Sequence, residues 1–326
     1  MVHSPGPNTY LMTIFQHLLV RSLVAITLGS LAAPYAASQI VINEVSASNR
    51  TVLLAGGAYS DWVELYNTGA VAVNLTGWWM SDKPTVPLKW PCPNVVVPAG
   101  GHVVFICSDR NLYVAPYWHT NFKITQMRQE TILLTSPALV TVDQFTFLDP
   151  NQRNHSWGRT TSGAATWSVF DVPTPGAANA AAKTRYAAKP VPDLAPGFYP
   201  AAPLAVSIAN PEPNSVVRYT TNGTNPIVTS PIYAAPILVN NDMVIKAQCY
   251  SNDPLILPSF RETNSYMIGA PHTMRTVCVS GMVDFIRTGA GTAGDQIACI
   301  EYFDESGAFQ FETEGQMRRH GNDSWA

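Results

Sequence analysis

Three neighbouring pieces decide the fold: Ile40-Val-Ile-Asn-Glu-Val-Ser-Ala-Ser-Asn49, Ser60-Asp-Trp-Val-Glu-Leu-Tyr-Asn-Thr-Gly69 and Leu75-Thr-Gly-Trp-Trp-Met-Ser-Asp82. The middle piece alternates strictly. Val63 and Leu65 face one way, and Trp62, Glu64 and Tyr66 face the other. A period of two marks a half-buried strand, and Asn67-Thr68-Gly69 supplies the turn that ends it. Trp78 and Met80 alternate with Trp79 and Ser81, so Trp78 reads as a core residue.

Strand candidates continue outward from this stretch to about Asn179: Val95–Val97, His102–Cys107, Glu130–Thr135, Leu139–Thr146, Ser156–Arg159 and Trp167–Val169. No window carries a sustained 3.6-residue apolar period, so helix is a minor element. Many short strands at regular spacing predict an all-β sandwich. The quoted opening, Val97-Pro-Ala-Gly-Gly-His-Val-Val104, Ser156-Trp-Gly-Arg159 and the closing Thr174-Pro-Gly-Ala-Ala-Asn179 together resemble a lamin-tail domain. The resemblance implies an immunoglobulin-like sandwich, a module also found in secreted bacterial proteins. It implies no reaction.

The composition narrows the function classes. Of 326 residues only 13% are charged, against roughly 25% in an average globular protein. The net charge is −3, so there is no basic field to hold nucleic acid phosphates. Residues 1–38 read as a secretory signal. His17 and Arg21 precede the apolar run Ser22–Ala33, and Ala36-Ala37-Ser38 offers a small-residue exit before Gln39. The run is short for a membrane span, and none of spanning length follows. The mature chain is expected outside the cytoplasm, secreted or at the cell surface, with no membrane span after cleavage.

Residues 180–197 read as an Ala/Pro-rich linker, extended in its proline-rich half. Residues 198–269 form a second β unit. Asn222-Gly223 offers the positive φ of a tight turn after Val216–Thr221. The run Tyr219-Thr-Thr-Asn-Gly-Thr-Asn-Pro226, with Pro231-Ile-Tyr233 and Val244-Ile-Lys-Ala247, resembles the chitobiase/β-hexosaminidase C-terminal module, which is non-catalytic in the enzymes that carry it. Residues 270–326 hold a strand at Arg275–Val279, a hydrophobic stretch at Met282–Ile286, a Gly-rich loop at Gly289–Gly294 and a hairpin turning at Asp304–Gly307. Glu301-Tyr-Phe-Asp304, Gly307, Gly315 and Arg319-His-Gly321 resemble the opening of a CotH kinase-like domain. The fold expectation is thus two immunoglobulin-like sandwiches in tandem plus a partial C-terminal β-hairpin region. Residues 270–326 should be poorly ordered, with Tyr302, Phe303, Phe309 and Phe311 leaving an apolar edge uncovered.

Residues with chemistry are sparse. Glu44, Asp61, Glu64 and Asp82 offer carboxylates for a calcium ion but no D-x-D-x-D loop, so no metal or other cofactor is expected. The histidines share no ligand spacing, and no G-x-S-x-G is present. Cys107 and Cys249 read as buried apolar residues, while Cys278 with Cys299 is the candidate disulfide. Trp62 and Trp79 are the candidate surface aromatics for stacking on a sugar ring. Arg319 and His320 are candidate anion contacts. Beyond Ala270 there is no lysine, so phosphotransfer is not expected of this chain. The reading is a non-catalytic scaffold or adhesion protein that positions a downstream domain, with an extracellular protein or polysaccharide as partner. Its rivals are the accessory N-terminal part of a CotH-like atypical kinase and a carbohydrate-binding protein.

Overall fold

A computed structural model describes residues 39–126, 129–269, 274–281 and 296–317. Every element assigned among them is a strand. Residues 1–38, read above as a secretory signal, lie outside the described residues, as do Met282–Ile286, Gly289–Gly294, Arg319 and His320.

The first sandwich contains β1 (Ile40–Ser46), β2 (Trp62–Asn67), β3 (Trp79–Ser81), β4 (Trp90–Pro91), β5 (His102–Ile106), β6 (Leu112–Val114), β7 (Tyr117–His119), β8 (Thr131–Thr135), β9 (Thr141–Thr146), β10 (Ser156–Arg159) and β11 (Trp167–Phe170). A seven-stranded sheet runs β6-β7-β5-β2-β1-β10-β11, and a four-stranded sheet runs β9-β8-β3-β4. Ile42, Val45, Val63, Leu65 and Phe105 of the large sheet meet Trp78, Met80, Ile132, Leu134 and Phe145 of the other in one core. The face assignment of Val63, Leu65 and Trp78 therefore holds.

One irregularity shapes everything that follows. The pairing of β1 with β2 slips between Ile42 and Glu44, leaving Asn43 as the extra residue of a β-bulge. Ile40, Ile42 and Val45 all reach the core because of it. Strict alternation would have sent Glu44 inward after Ile42. The bulge turns it outward, directly opposite Glu64.

The second sandwich contains β12 (Gly197–Tyr199), β13 (Leu204–Val206), β14 (Ser215–Thr220), β15 (Ile237–Val239), β16 (Met243–Ser251) and β17 (Glu262–Ile268). The order is β12-β17-β16-β14 in one sheet, with β13-β15 facing it. Val206, Val217, Val239, Ile245 and Tyr266 fill the space between. Gly223 takes φ +77° at the expected turn, where Asn222 Oδ1 accepts from Thr224 N at 3.1 Å.

The segment read as a free linker is built into its neighbours. Lys183 bridges Val169, and Arg185-Tyr186 pairs in parallel with Ile256-Leu257. Val191-Pro192 pairs antiparallel with Ile208-Ala209. The segment is extended as expected. Its low apolar content did not show that its backbone groups are used as strand pairs.

The C-terminal region is a three-stranded antiparallel sheet, β18 (Thr276–Gly281), β19 (Gln296–Phe303) and β20 (Phe309–Met317). Phe303 is fully buried and lies edge-on to Phe198 at 5.6 Å. Phe309 and Phe311 stay exposed. The expected apolar edge is thus half covered: the hairpin docks one face on the second sandwich.

Candidate functional site

Among the described residues, a dense buried polar cluster lies on the outer face of the large sheet of the first sandwich. Glu44 on β1 and Glu64 on β2 are Cα partners, and both are fully buried. Residues 174–179 lie over them. Ser156 Oγ donates to Glu44 at 2.5 Å, Thr174 N at 3.1 Å and Thr174 Oγ1 at 2.8 Å. Asn43 Nδ2 donates to Glu64 at 2.7 Å, and Gly176 N at 2.6 Å. Asn179 closes the ring: its Oδ1 accepts from Asn43 at 2.8 Å, and its Nδ2 donates to Arg159 O at 2.6 Å. Gly158 leaves the room for this. A Cβ there would stand 2.9 Å from Phe170, 3.0 Å from Asn179 Nδ2 and 3.2 Å from Glu44 Cγ.

The donors to these two carboxyls are neutral hydroxyl, amide and backbone groups. Burial is the larger influence and raises both acids. Glu64 is pushed up to about 8, with the neighbouring Glu44 charge adding to the effect. At neutral pH at least one proton is therefore shared within the cluster. The nearby guanidinium of Arg159 is engaged elsewhere, with Asp143 at 2.7 Å and the carbonyl of Ile42. Closed off by the covering segment, the pair reaches no solvent. Its chemistry is that of a lock between sheet and cover.

The other expectations sort plainly. Asp61 and Asp82 do not join this pair: Asp61 Oδ1 accepts from Asn49 N, and Asp82 pairs with Lys89 at 2.6 Å. Among the described residues no group of three or more His, Cys, Asp or Glu could hold a metal ion. Trp62 is corrected: it faces away from the main core as the alternation says, but it is fully buried with Ala55, Val104 and Ile106. Alternation reports a direction and cannot see the loop over that face. Trp79 is half-buried and sits opposite Pro91. The Cys278–Cys299 disulfide is also corrected. Both are free thiols, and the register sets Cys278 opposite Glu301 and Cys299 opposite Ser280, one diagonal apart. Cys107 and Cys249 are buried. Asn43, Ser156, Thr174, Gly176 and Asn179 escaped the sequence reading as site residues. The only trace was that two of the motifs, Ser156–Arg159 and Thr174–Asn179, sit at the end of the first module.

A second polar region joins the modules. Tyr186 stacks on His155 at 5.7 Å, and its hydroxyl meets His155 Nδ1 at 2.9 Å and Gln152 N at 3.0 Å. Its ring also lies edge-on to Phe260 of the second module at 5.1 Å. Arg185 grips the buried Glu212 through both terminal nitrogens, at 2.7 and 2.8 Å. Lys189 pairs with Glu262 at 2.7 Å and with Glu312 of the C-terminal sheet. Arg261 pairs with Glu314 at 2.5 Å.

Residues 33–149 match the family model of the Lamin Tail Domain. Residues 194–253 match that of the Chitobiase/beta-hexosaminidase C-terminal domain. The chain carries these two modules in tandem. The lamin-tail match stops before β10 and β11, although both strands complete its large sheet. The chitobiase-type match likewise stops before β17, which pairs with β16. No curated protein and no solved structure matches the chain.

Proposed function

We propose that the chain is a secreted or cell-surface scaffold without catalytic activity, whose two sandwiches hold a following domain in place on an extracellular protein or polysaccharide. One observation carries this reading: the connection between the modules is made of paired strand and ion pairs. Residues 183–199 pair first with the lamin-tail module and then, three times over, with the chitobiase-type module. A positioning device needs a fixed distance between its ends, and a Gly/Ser-type tether would not supply one. The buried, donor-saturated Glu44–Glu64 pair fits the same role, since an acid base couple for turnover needs access to substrate. The chitobiase-type module supports a polysaccharide surface as the partner.

Export of the full chain, N-terminal sequencing and small-angle scattering test the proposal together. The exported chain should begin near Gln39 and scatter as a single body whose radius does not change with salt. Independent tumbling of two modules, or ATP turnover that tracks the folded protein, would overturn it. Retention on an insoluble polysaccharide, against retention on an extracellular protein extract, distinguishes the two kinds of partner.

A further inference from the structure

Strand β17 pairs with β16 along Glu262–Tyr266, but β12 covers its other edge only from Tyr266 onward. The amides of Thr263 and Ser265 point out of that open edge. Two side-chain carboxylates of the C-terminal sheet take the place of a missing strand: Glu301 accepts from Ser265 N at 2.9 Å, and Glu312 accepts from Thr263 N at 3.2 Å. Glu301 also takes the Ser265 hydroxyl. The two glutamates are Cα partners across β19 and β20, so they face the same edge side by side.

Their surroundings differ. Glu312 is paired with Lys189, which also holds Glu262. Glu301 is fully buried, and its hydrogen bonds come from the neutral amide and hydroxyl of Ser265. The charged and titratable groups around it are Glu312 and Glu314 on β20, Cys299 on β19, Cys278 on β18, Glu262 and Tyr266 on β17, Lys246 on β16, and Lys189 and Arg261 beside β17. Lys246 bonds Asn225 at 3.2 Å rather than Glu301, and Arg261 is spent on Glu314. Of these, Glu312 opposes an added negative charge and Lys246 favours it only at a distance.

We propose that Glu301 is a protonation-controlled latch that holds the β18–β20 sheet on the open edge of β17. The protonated carboxyl serves both Ser265 groups: its carbonyl oxygen accepts from the amide, and its O–H and the serine hydroxyl bond each other. Loss of the proton leaves a buried carboxylate beside Glu312. Burial pushes this carboxyl up to about 7 from its ordinary 4.5. The docked form binds the proton more tightly than the undocked form, so docking is strongest below about pH 4.5. It weakens as pH climbs from 4.5 to about 7 and then levels off. Lys189 and its two glutamates pull the other way in acid, because protonating Glu262 or Glu312 breaks their ion pairs.

Hydrogen exchange on the full chain tests the latch. Glu301→Gln keeps a carbonyl acceptor and an N–H donor in the same place, so it imitates the latched state at every pH. Exchange of the amides in 262–266 and 297–303 is compared between wild type and this variant at matched pH, which cancels the intrinsic pH dependence and the Lys189 effect. From pH 5 to pH 7.5 the population of the open form in wild type, relative to Glu301→Gln, should rise by about fifty-fold. Glu312→Gln, which loses the Lys189 pair, should keep that pH step. A flat ratio in wild type overturns the proposal, and so does loss of the step in Glu312→Gln alone. Should Glu301→Gln fail to fold, the carboxyl carbon of Glu301 in wild type decides by nuclear magnetic resonance. A titration midpoint near 7 supports the latch, and one near 4.5 overturns it.

Discussion

The first sandwich and the module junction both bury carboxylates, and they treat them in opposite ways. Glu44 and Glu64 are held by hydroxyls, amides and backbone N–H groups, and burial raises both. Glu212 at the junction is gripped by the Arg185 guanidinium and the amide of Ala188, and its carboxyl falls to about 2. The difference teaches what each contact is for. A neutral-donor site prefers the protonated acid and binds a cover to a sheet without leaving a charge inside. A guanidinium fork prefers the ionised acid and fixes a direction between two elements. Where a proton satisfies the acid, stability is greatest in acid; where a cation does, it is greatest above the acid's ordinary range.

The largest test asks whether the first sandwich rests on its apolar core rather than on the polar cover. Trp78→Ala should cost about 3–5 kcal/mol in chemical denaturation. A variant as stable as wild type would show that the cluster of Glu44 and Glu64 dominates, and the contrast between the regions would collapse.

Gly158→Ala sharpens the same contrast from the polar side. The new methyl must displace Phe170, Asn179 or Glu44, and about 1–3 kcal/mol should be lost. Exchange should accelerate in residues 174–179 first. Unchanged protection there would mean that the cover does not depend on the ring closed by Asn179.

The pH dependence then separates the two kinds of site. Glu64 has its folded-state pKa raised to about 8 from 4.5. Its contribution is fully present below pH 4.5 and is lost as pH rises from 4.5 to about 8. Glu64→Gln should flatten that slope in urea midpoints taken across the range. A slope of opposite sign would identify a cation beside Glu64.

The smallest effect belongs to the ion pair. Arg185 is nearly half exposed, so Arg185→Ala at neutral pH should cost about 0.5–1 kcal/mol after solvent screening. Because the folded-state pKa of Glu212 is depressed, its stabilisation is present above pH 4.5 and disappears as pH falls toward 2. Wild type should therefore lose more stability than Arg185→Ala between pH 5 and pH 2.

Strand alternation made much of this fold legible. Val63, Leu65 and Trp78 declare their face because period two is a local property of the backbone. The same signal misjudged Trp62, since a sheet face turned from the core is exposed only if nothing elsewhere in the chain covers it. Leu53, Ala55 and Tyr117 cover Trp62, while residues 174–179 cover Glu44 and Glu64 from more than a hundred positions on, and no local period encodes either. The pairing of residues 183–199 was hidden for a related reason. Backbone hydrogen bonds need no side-chain pattern, and proline reads as a breaker even where, as at Pro192, it stands at a strand end. The cluster itself was half visible: Glu44 and Glu64 drew notice as carboxylates, but only the bulge brings them face to face.

The extra residue at position 43 acts like a shift of reading frame written in side-chain directions. Upstream of it even-numbered positions on β1 look inward, and downstream odd-numbered ones do. A regular pairing at unchanged length would put Val45 on the covered side and a carboxylate in the apolar interior, although no contact had been mutated. Removing one residue there would leave a regular strand with Glu44 still outward and Val45 still inward, so a one-residue deletion should be better tolerated than a two-residue one.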